Sequence, residues 1–226
     1  MSVEEKDDGG RASPKRAAIG AHVVSALSKD PAVQHVGTDM VQMFACPDFL
    51  SMDECEGLIA MIDADCFTSE VFDPGQARYR TSQSCNLDSY HPLVSAISKR
   101  ICLLMQLPPE HGETLQGQRY LSGQYFRAHQ DFFHVGEAYW PRMRAEGGQR
   151  SWTAMIYLNT LEEGGETSFP ALGFGVSPRA GLLLMWNNMR PDGSPNPDTL
   201  HEARPVESGR KYVVTKWFRE NPWRAR

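Results

Sequence analysis

The sequence predicts an antiparallel β-sandwich or jelly roll flanked by helices, because two amphipathic helical segments precede a series of short strand patterns cut by turns. The first helical signal is Ser51-Met-Asp-Glu54, a capping box, followed by Leu58, Ile59 and Ile62 on one face. The second runs from about His91 to Leu107. There Leu93, Val94, Ile97, Ile101 and Leu104 recur at helical spacing, and Pro108-Pro109 stops it. A short apolar, strand-like run within Asp39–Phe49 ends at Pro47. After Leu115 the pattern changes to strand candidates at Arg119–Ala128, Ser151–Asn159, Glu166–Phe169, Gly181–Trp186, His201–Val206 and Lys211–Phe218. Turn chemistry separates several of them, at Glu163-Gly-Gly165, Pro178-Arg-Ala-Gly181 and Glu207-Ser-Gly209. The Pro-rich stretch Asn187–Leu200 reads as a functional lid or a disordered segment.

Bulk composition narrows the classes. The chain has 226 residues, 41% hydrophobic and 23% charged, ordinary for a globular domain. A net charge of -5 gives no reason to expect a nucleic-acid or anionic-membrane partner. No apolar run is long enough to cross a bilayer. Residues 1–18 are charged and small, so a disordered tail is expected, followed by one domain over 19–226 with its catalytic core at about 115–220. Cys46, Cys55, Cys66, Cys85 and Cys102 are odd in number and lack zinc-ligand spacing. They read as reduced, mostly buried thiols, and with a polar N-terminus they suggest a cytoplasmic protein.

The chemistry begins at His129-Gln-Asp131. On a strand, residues i and i+2 point to one face, so both side chains can reach one ion. A third ligand must come from another strand, and His201 is best placed, entering a strand directly after the Pro-rich loop. Two imidazoles and one carboxylate on one side of a metal leave open positions, which suits non-haem iron(II) oxygen chemistry. An His-x-Asp tripeptide alone is a weak signal. His22, His35, His91, His111 and His134 have no such context and read as surface or structural residues. The second signal is Lys211. The segment His201–Phe218 reads as a hairpin turning at Glu207-Ser-Gly209, with Lys211, Val213, Thr215 and Trp217 on one face of the return strand. A cation facing a barrel interior needs an anion, such as the far carboxylate of a metal-chelating dicarboxylate.

These residues sit in longer motifs: Arg119-Tyr-Leu-Ser-Gly-Gln-Tyr-Phe-Arg-Ala-His129-Gln-Asp131, Gly148-Gln-Arg150 through Tyr157-Leu-Asn, Gly164-Gly-Glu-Thr167-Ser-Phe-Pro170, and His201 through Lys211 with Lys216-Trp217-Phe218. In order and spacing they resemble the 2-oxoglutarate/Fe(II) dioxygenase superfamily, more narrowly its prolyl 4-hydroxylase branch, as do Phe49–Cys55 and Arg80-Thr-Ser82 upstream. The resemblance implies a double-stranded β-helix, a jelly-roll or cupin-like barrel with the metal near its mouth. It implies Fe(II) on His129, Asp131 and His201, and 2-oxoglutarate held by Lys211, Tyr120 and Thr167. O₂ would be consumed, succinate and CO₂ released, and ascorbate would serve as a reductant. It places Arg150 and Trp217 near a peptide substrate. Asp131 points to hydroxylation, because related halogenases lack this carboxylate. Two departures fall at positions that face substrate in the family: Phe126, preceded by Tyr125, stands where Tyr is common, and Arg219 replaces a common His. Phe126 and Tyr125 are therefore further substrate-contact candidates. The segment 132–149 is an unusual aromatic insertion, read either as a substrate wall or as its own hydrophobic cluster. The reading that follows is a peptidyl prolyl hydroxylase. Alternatives are a hydroxylase of a free amino acid or small metabolite, a non-catalytic ligand-binding barrel, and a zinc hydrolase.

Overall fold

The short strands expected after Leu115 pair into two facing antiparallel sheets. The coordinates are a computed structural model that describes residues 9–65 and 80–224. In chain order the elements are α1 (Pro14–Leu27), β1 (Gln34–His35), β2 (Met43–Cys46), α2 (Met52–Asp65), β3 (Gln83–Asn86), α3 (Pro92–Met105), β4 (Gln116–Leu121) and β5 (Phe126–His129). They continue with α4 (Trp140–Ala145), β6 (Arg150–Tyr157), β7 (Thr167–Phe169), β8 (Phe174–Val176), β9 (Leu183–Asn187), β10 (His201–Ala203) and β11 (Arg210–Arg219). The larger sheet has the order β1-β2-β9-β6-β11-β4-β3, and the smaller one β5-β10-β7-β8. This is the expected jelly roll with flanking helices.

Strand alternation divides the large sheet into two faces. Trp152, Ala154 and Ile156 of β6, with Leu183 and Met185 of β9 and Tyr212, Val214 and Phe218 of β11, form a core with buried residues of α1, α2 and α3, such as Leu27, Leu58 and Ile97. Met155, Tyr157, Leu184, Trp186 and Val213 face the other way, into a second core with Tyr120, Phe169 and Ala203. The helices thus back the large sheet while its other face closes over the small one. No described helix is long and apolar enough to cross a membrane.

The local signals behave as their chemistry requires. Ser51 N–H donates to Glu54 Oε2 at 2.9 Å and Glu54 N–H donates to Ser51 Oγ at 3.2 Å, the reciprocal capping box. Helix α3 is capped by His91 and ends at Gln106 in the left-handed conformation, just before the prolines. Gly164 and Gly165 turn at φ 73° and 69°, where an added Cβ would lie 2.6 Å from Pro205 O and 2.8 Å from Leu161 Cδ1 respectively, so only glycine fits.

Five expectations need correction. The expected disordered tail, residues 1–18, is helical in part: α1 starts at Pro14 behind the N-cap Ser13, and residues 1–8 lie outside the described residues. Arg16 is 1% exposed, pairs with Glu220 at 3.0 Å and donates to Gly193 O at 2.7 Å. A charged residue there buries by pairing, which apolar periodicity does not register. The single strand expected over Arg119–Ala128 is β4 and β5 in different sheets. The stretch His201–Phe218 is likewise no hairpin: β10 pairs with β5 and β7, whereas β11 pairs with β4 and β6. The turn at Glu207–Gly209 carries the chain from one sheet to the other. The Pro-rich loop is not disordered, since Asn188, Asn196 and Thr199 are buried and Gly193 packs on α1. Finally, Cys46, Cys55 and Cys102 are free and buried, but Cys85 is disulfide-bonded, and Cys66 lies outside the described residues. Cysteine usage therefore no longer argues for a reducing compartment.

Candidate active site

His129 and His201 are direct cross-strand partners at the end of the small sheet. The β5–β10 register shifts between His201/His129 and Ala203/Phe126, a bulge that also turns Phe126 toward the histidine, and the two rings stack at 3.8 Å between centroids. The imidazoles of His129 and His201 lie 4.3 Å apart between centroids. Asp131 sits beyond the end of β5, in a bend rather than on the strand. It still reaches both rings, with Oδ1 3.8 Å from His129 Nε2 and Oδ2 3.9 Å from His201 Nε2. One ligand atom from each of the three residues lies within 4.8 Å of the others.

The donor set fits a metal. His129 Nδ1 lies 2.8 Å from Arg127 O and His201 Nδ1 lies 2.9 Å from Thr199 O. A carbonyl only accepts, so each Nδ1 is the donor in its bond, and Nε2 is the ring atom that faces the other ligands. Desolvation by burial, with His201 alongside, pulls His129 down to about 3, which keeps it neutral. Burial alone would raise the Asp131 carboxyl, but the imidazoles, Arg150 and the Thr153 hydroxyl outweigh it and hold it below the usual range. Two imidazole nitrogens and one carboxylate on one side of a cavity suit Fe(II) with open positions.

Asp131 is oriented from beneath by residues that the sequence reading missed. Thr153 Oγ1 donates to Asp131 Oδ2 at 2.7 Å, and Asn188 Nδ2 donates to Thr153 Oγ1 at 2.9 Å. All three are buried. We expect Thr153→Val, which keeps the shape and removes the donor, to weaken Mn(II) binding to the apoprotein by about 10–100-fold, with Thr153→Ser restoring it. Unchanged Mn(II) affinity in the valine variant, measured by titration, would rule out this support.

The cavity beside the triad measures about 610 Å³. Lys211 lines it from β11 and is 1% exposed. Its Nζ reaches only the Thr167 hydroxyl, at 3.5 Å, and lies 5.2 Å and 5.5 Å from the ring centroids of Tyr120 and Tyr157. Among the described residues no carboxylate comes within ion-pair distance. Desolvation pulls Lys211 down to about 7, with Glu166 opposing. A buried cation with one hydroxyl and two aromatic faces is a receptor for a carboxylate. Tyr120 and Thr167 line the same cavity. Tyr157, read only as part of a strand, donates to Thr167 Oγ1 at 2.7 Å, and burial pushes its phenol up, so it stays a donor. Trp186, also missed, packs edge-on against His201 at 5.0 Å.

Of the substrate candidates, Arg150, Trp217 and Phe126 line the cavity. The Arg150 guanidinium lies 4.0 Å from the Trp217 ring centroid and holds Glu113 with two bonds of 2.7 and 2.8 Å. Tyr125 is not part of the wall; it precedes β5 on the side that bonds to Thr81. Arg219 is also drawn away from the cavity. It is 2% exposed and joins Arg150 on Glu113 while donating to Gly148 O. The insertion both packs on itself and lines the cavity. Phe132, Trp140 and Met143 are buried, while Phe133, His134, Tyr139 and Arg142 line the cavity. Arg80, from the upstream motif, lines it too.

The comparisons agree with this geometry. Residues 115–219 match the model of the 2OG-Fe(II) oxygenase superfamily. A probable prolyl 4-hydroxylase 3 of Arabidopsis thaliana is 36% identical over 200 residues, covering 77% of this chain and 68% of that protein. A putative prolyl 4-hydroxylase of Acanthamoeba polyphaga mimivirus is 30% identical over 178 residues, covering 78% and 74%. The crystal structure of a viral collagen prolyl hydroxylase from Paramecium Bursaria Chlorella virus-1, in complex with 2OG, superposes with a TM-score of 0.62 at 28% identity, covering 78% of this chain and 95% of that one. The chain belongs to the 2OG-Fe(II) oxygenase superfamily, in its prolyl 4-hydroxylase-like branch, and is an Fe(II)- and 2-oxoglutarate-dependent dioxygenase.

Proposed function

We propose that this protein hydroxylates a prolyl residue in a peptide or protein. The observation that carries the reading is one cavity holding both a two-His, one-Asp cluster and a buried lysine with no counter-ion among the described residues. When bound, Fe(II) with 2-oxoglutarate and O₂ supplies the oxidising power, converting 2-oxoglutarate to succinate and CO₂ and a substrate C–H to C–OH. In this proposal His129, Asp131 and His201 hold the metal through Nε2, a carboxylate oxygen and Nε2. Lys211, assisted by Thr167 and Tyr120, anchors the distal carboxylate. The aromatic walls, Phe126 and Trp186 among them, exclude water around the reacting centre. Arg150, fixed by Glu113 and stacked on Trp217, offers the substrate a rigid planar surface. Ascorbate as reductant belongs to the same proposal.

The test is succinate formation from 2-oxoglutarate under air with the purified protein and Fe(II), with and without Pro-containing peptides, and mass analysis of the peptide. A gain of 16 Da on proline, coupled to succinate, is expected. Succinate stimulated by free amino acids but by no peptide would overturn the peptide reading.

A further inference from the structure

We propose that the substrate carries a carboxylate close to the residue that is oxidised, and that Arg142, with Arg80, receives it. The inference rests on the hydroxylase reading and adds the charge of the substrate to it.

Positive charge exceeds negative charge on the described cavity wall. Among the described residues, the cations that line it are Arg80, Arg142, Arg150 and Lys211, against Asp131 as the one carboxylate. The chain as a whole carries a net charge of -5, so a cationic mouth is not inherited from composition. Two of the four cations have partners assigned. Arg150 is held by Glu113 through two short bonds, on a carboxylate it shares with Arg219. Lys211 is taken by the distal carboxylate of the co-substrate, and Asp131 by the metal. Arg80 and Arg142 remain. Arg80 gives its Nε to Ser82 Oγ at 2.6 Å and lies 4.9 Å from the Phe126 ring centroid, yet its Nη2 is buried with no hydrogen-bond partner among the described residues. An unpaired buried guanidinium nitrogen costs free energy until a ligand accepts from it. Arg142 comes from α4, within the insertion. Its nearest carboxylate is Glu146, one helical turn on, at a loose 3.9 Å, and its side chain is 69% exposed. Such a pair is worth little and yields readily to a better acceptor. A proline ring and neutral flanking residues would offer these two guanidinium groups backbone carbonyls but no charge to balance theirs. A neighbouring Asp or Glu, or a chain-terminal carboxylate, would supply that charge, and it would also be steered toward the cavity of an otherwise acidic molecule.

The experiment uses the full chain with Fe(II) and 2-oxoglutarate, and acetylated, amidated Pro-containing peptides that differ at one position beside the proline: Glu, Gln or Lys. A neutral peptide with a free C-terminal carboxylate is the fourth substrate. We expect kcat/KM for the Glu peptide to exceed that for Gln by about tenfold at low salt, shrinking as ionic strength rises. Arg142→Gln should flatten the ratio and Arg142→Glu should invert it in favour of Lys. Because each ratio is taken within one enzyme preparation, a general loss of activity cancels. A gain confined to the fourth peptide would assign the carboxylate to a chain end. Peptide binding is followed in parallel by fluorescence anisotropy without O₂. If acidic peptides bind preferentially through Arg142 but are not oxidised, the substrate charge stands and the hydroxylase reading falls. Hydroxylation that is indifferent to the neighbouring charge, or a preference that persists unchanged in Arg142→Glu, overturns the inference and leaves the hydroxylase reading intact.

Discussion

Replacing His129, Asp131 or His201 by alanine is expected to abolish succinate formation, with or without peptide. Loss of a contact that merely supports a metal ligand already costs about 10–100-fold, so loss of a ligand should cost more. The three are not equivalent in context. The histidines are cross-strand partners held by Arg127 O and Thr199 O, so removing one ring opens space at the end of the small sheet. Asp131 stands in a bend and is tied down by Thr153, so its removal leaves a buried hydroxyl without an acceptor. Activity alone would confuse a lost ligand with a lost fold. The discriminating measurement is the shift in melting temperature on adding Mn(II) to the apoprotein. Native protein should gain about 2.7 kcal/mol when the metal is at about 100 times its dissociation constant. The alanine variants should melt cooperatively and gain almost nothing at that concentration. A variant that keeps both the shift and the turnover would remove its residue from the ligand set.

The second large effect belongs to Lys211. Truncation to alanine should raise the 2-oxoglutarate concentration needed for half-maximal rate by about 10–100-fold, the equivalent of roughly 1.5–3 kcal/mol for a hydrogen bond to a charged group. Its titration gives the same assignment a signature in pH. Burial brings Lys211 to about 7 in the free protein, from an ordinary value of 10.5. Binding a carboxylate requires the ammonium form. Above pH 7 each binding event must therefore take up a proton, and 2-oxoglutarate affinity should weaken by up to tenfold per pH unit until the pKa of the complex is reached. Stability of the free protein should move the opposite way. Between about 7 and 10.5 the unfolded chain holds a proton that the folded chain has released, so the folded state gains as pH rises through that window. Lys211→Met should flatten both curves. A pH-independent 2-oxoglutarate affinity in the native protein, measured anaerobically, would reject the assignment.

What could be read from the sequence divides along physical lines. The triad and Lys211 were legible because each is a polar residue at a fixed spacing within a strand-like, turn-bounded pattern, where burial demands a reason. Helices α2 and α3 were legible because capping and apolar periodicity agree. Thr153, Tyr157 and Trp186 escaped because β6 and β9 are covered on both faces. In a strand buried on both sides, alternation does not separate the residues that face the helices from those that face the site. Arg16 and the start of α1 escaped because an ion pair, not an apolar stripe, buries them. Tyr125 was misplaced because the β5 bulge decides which aromatic turns inward, and a bulge leaves no mark in a single sequence. The sheet change at Glu207–Gly209 was hidden for a related reason, since a short turn between two strands looks the same whether or not they pair.

That sheet change makes the barrel a gauge of length. The histidines stand on the smaller leaf and the lysine on the larger one, so the gap between the two leaves is a ruler held at both ends. A dicarboxylate whose α-keto acid end were held by the triad would reach with its far end for Lys211 across that gap. Diacids one carbon shorter or longer would meet the metal and miss the lysine, and a mutation that loosens the seam between the leaves should blunt this sense of size before it disturbs metal binding.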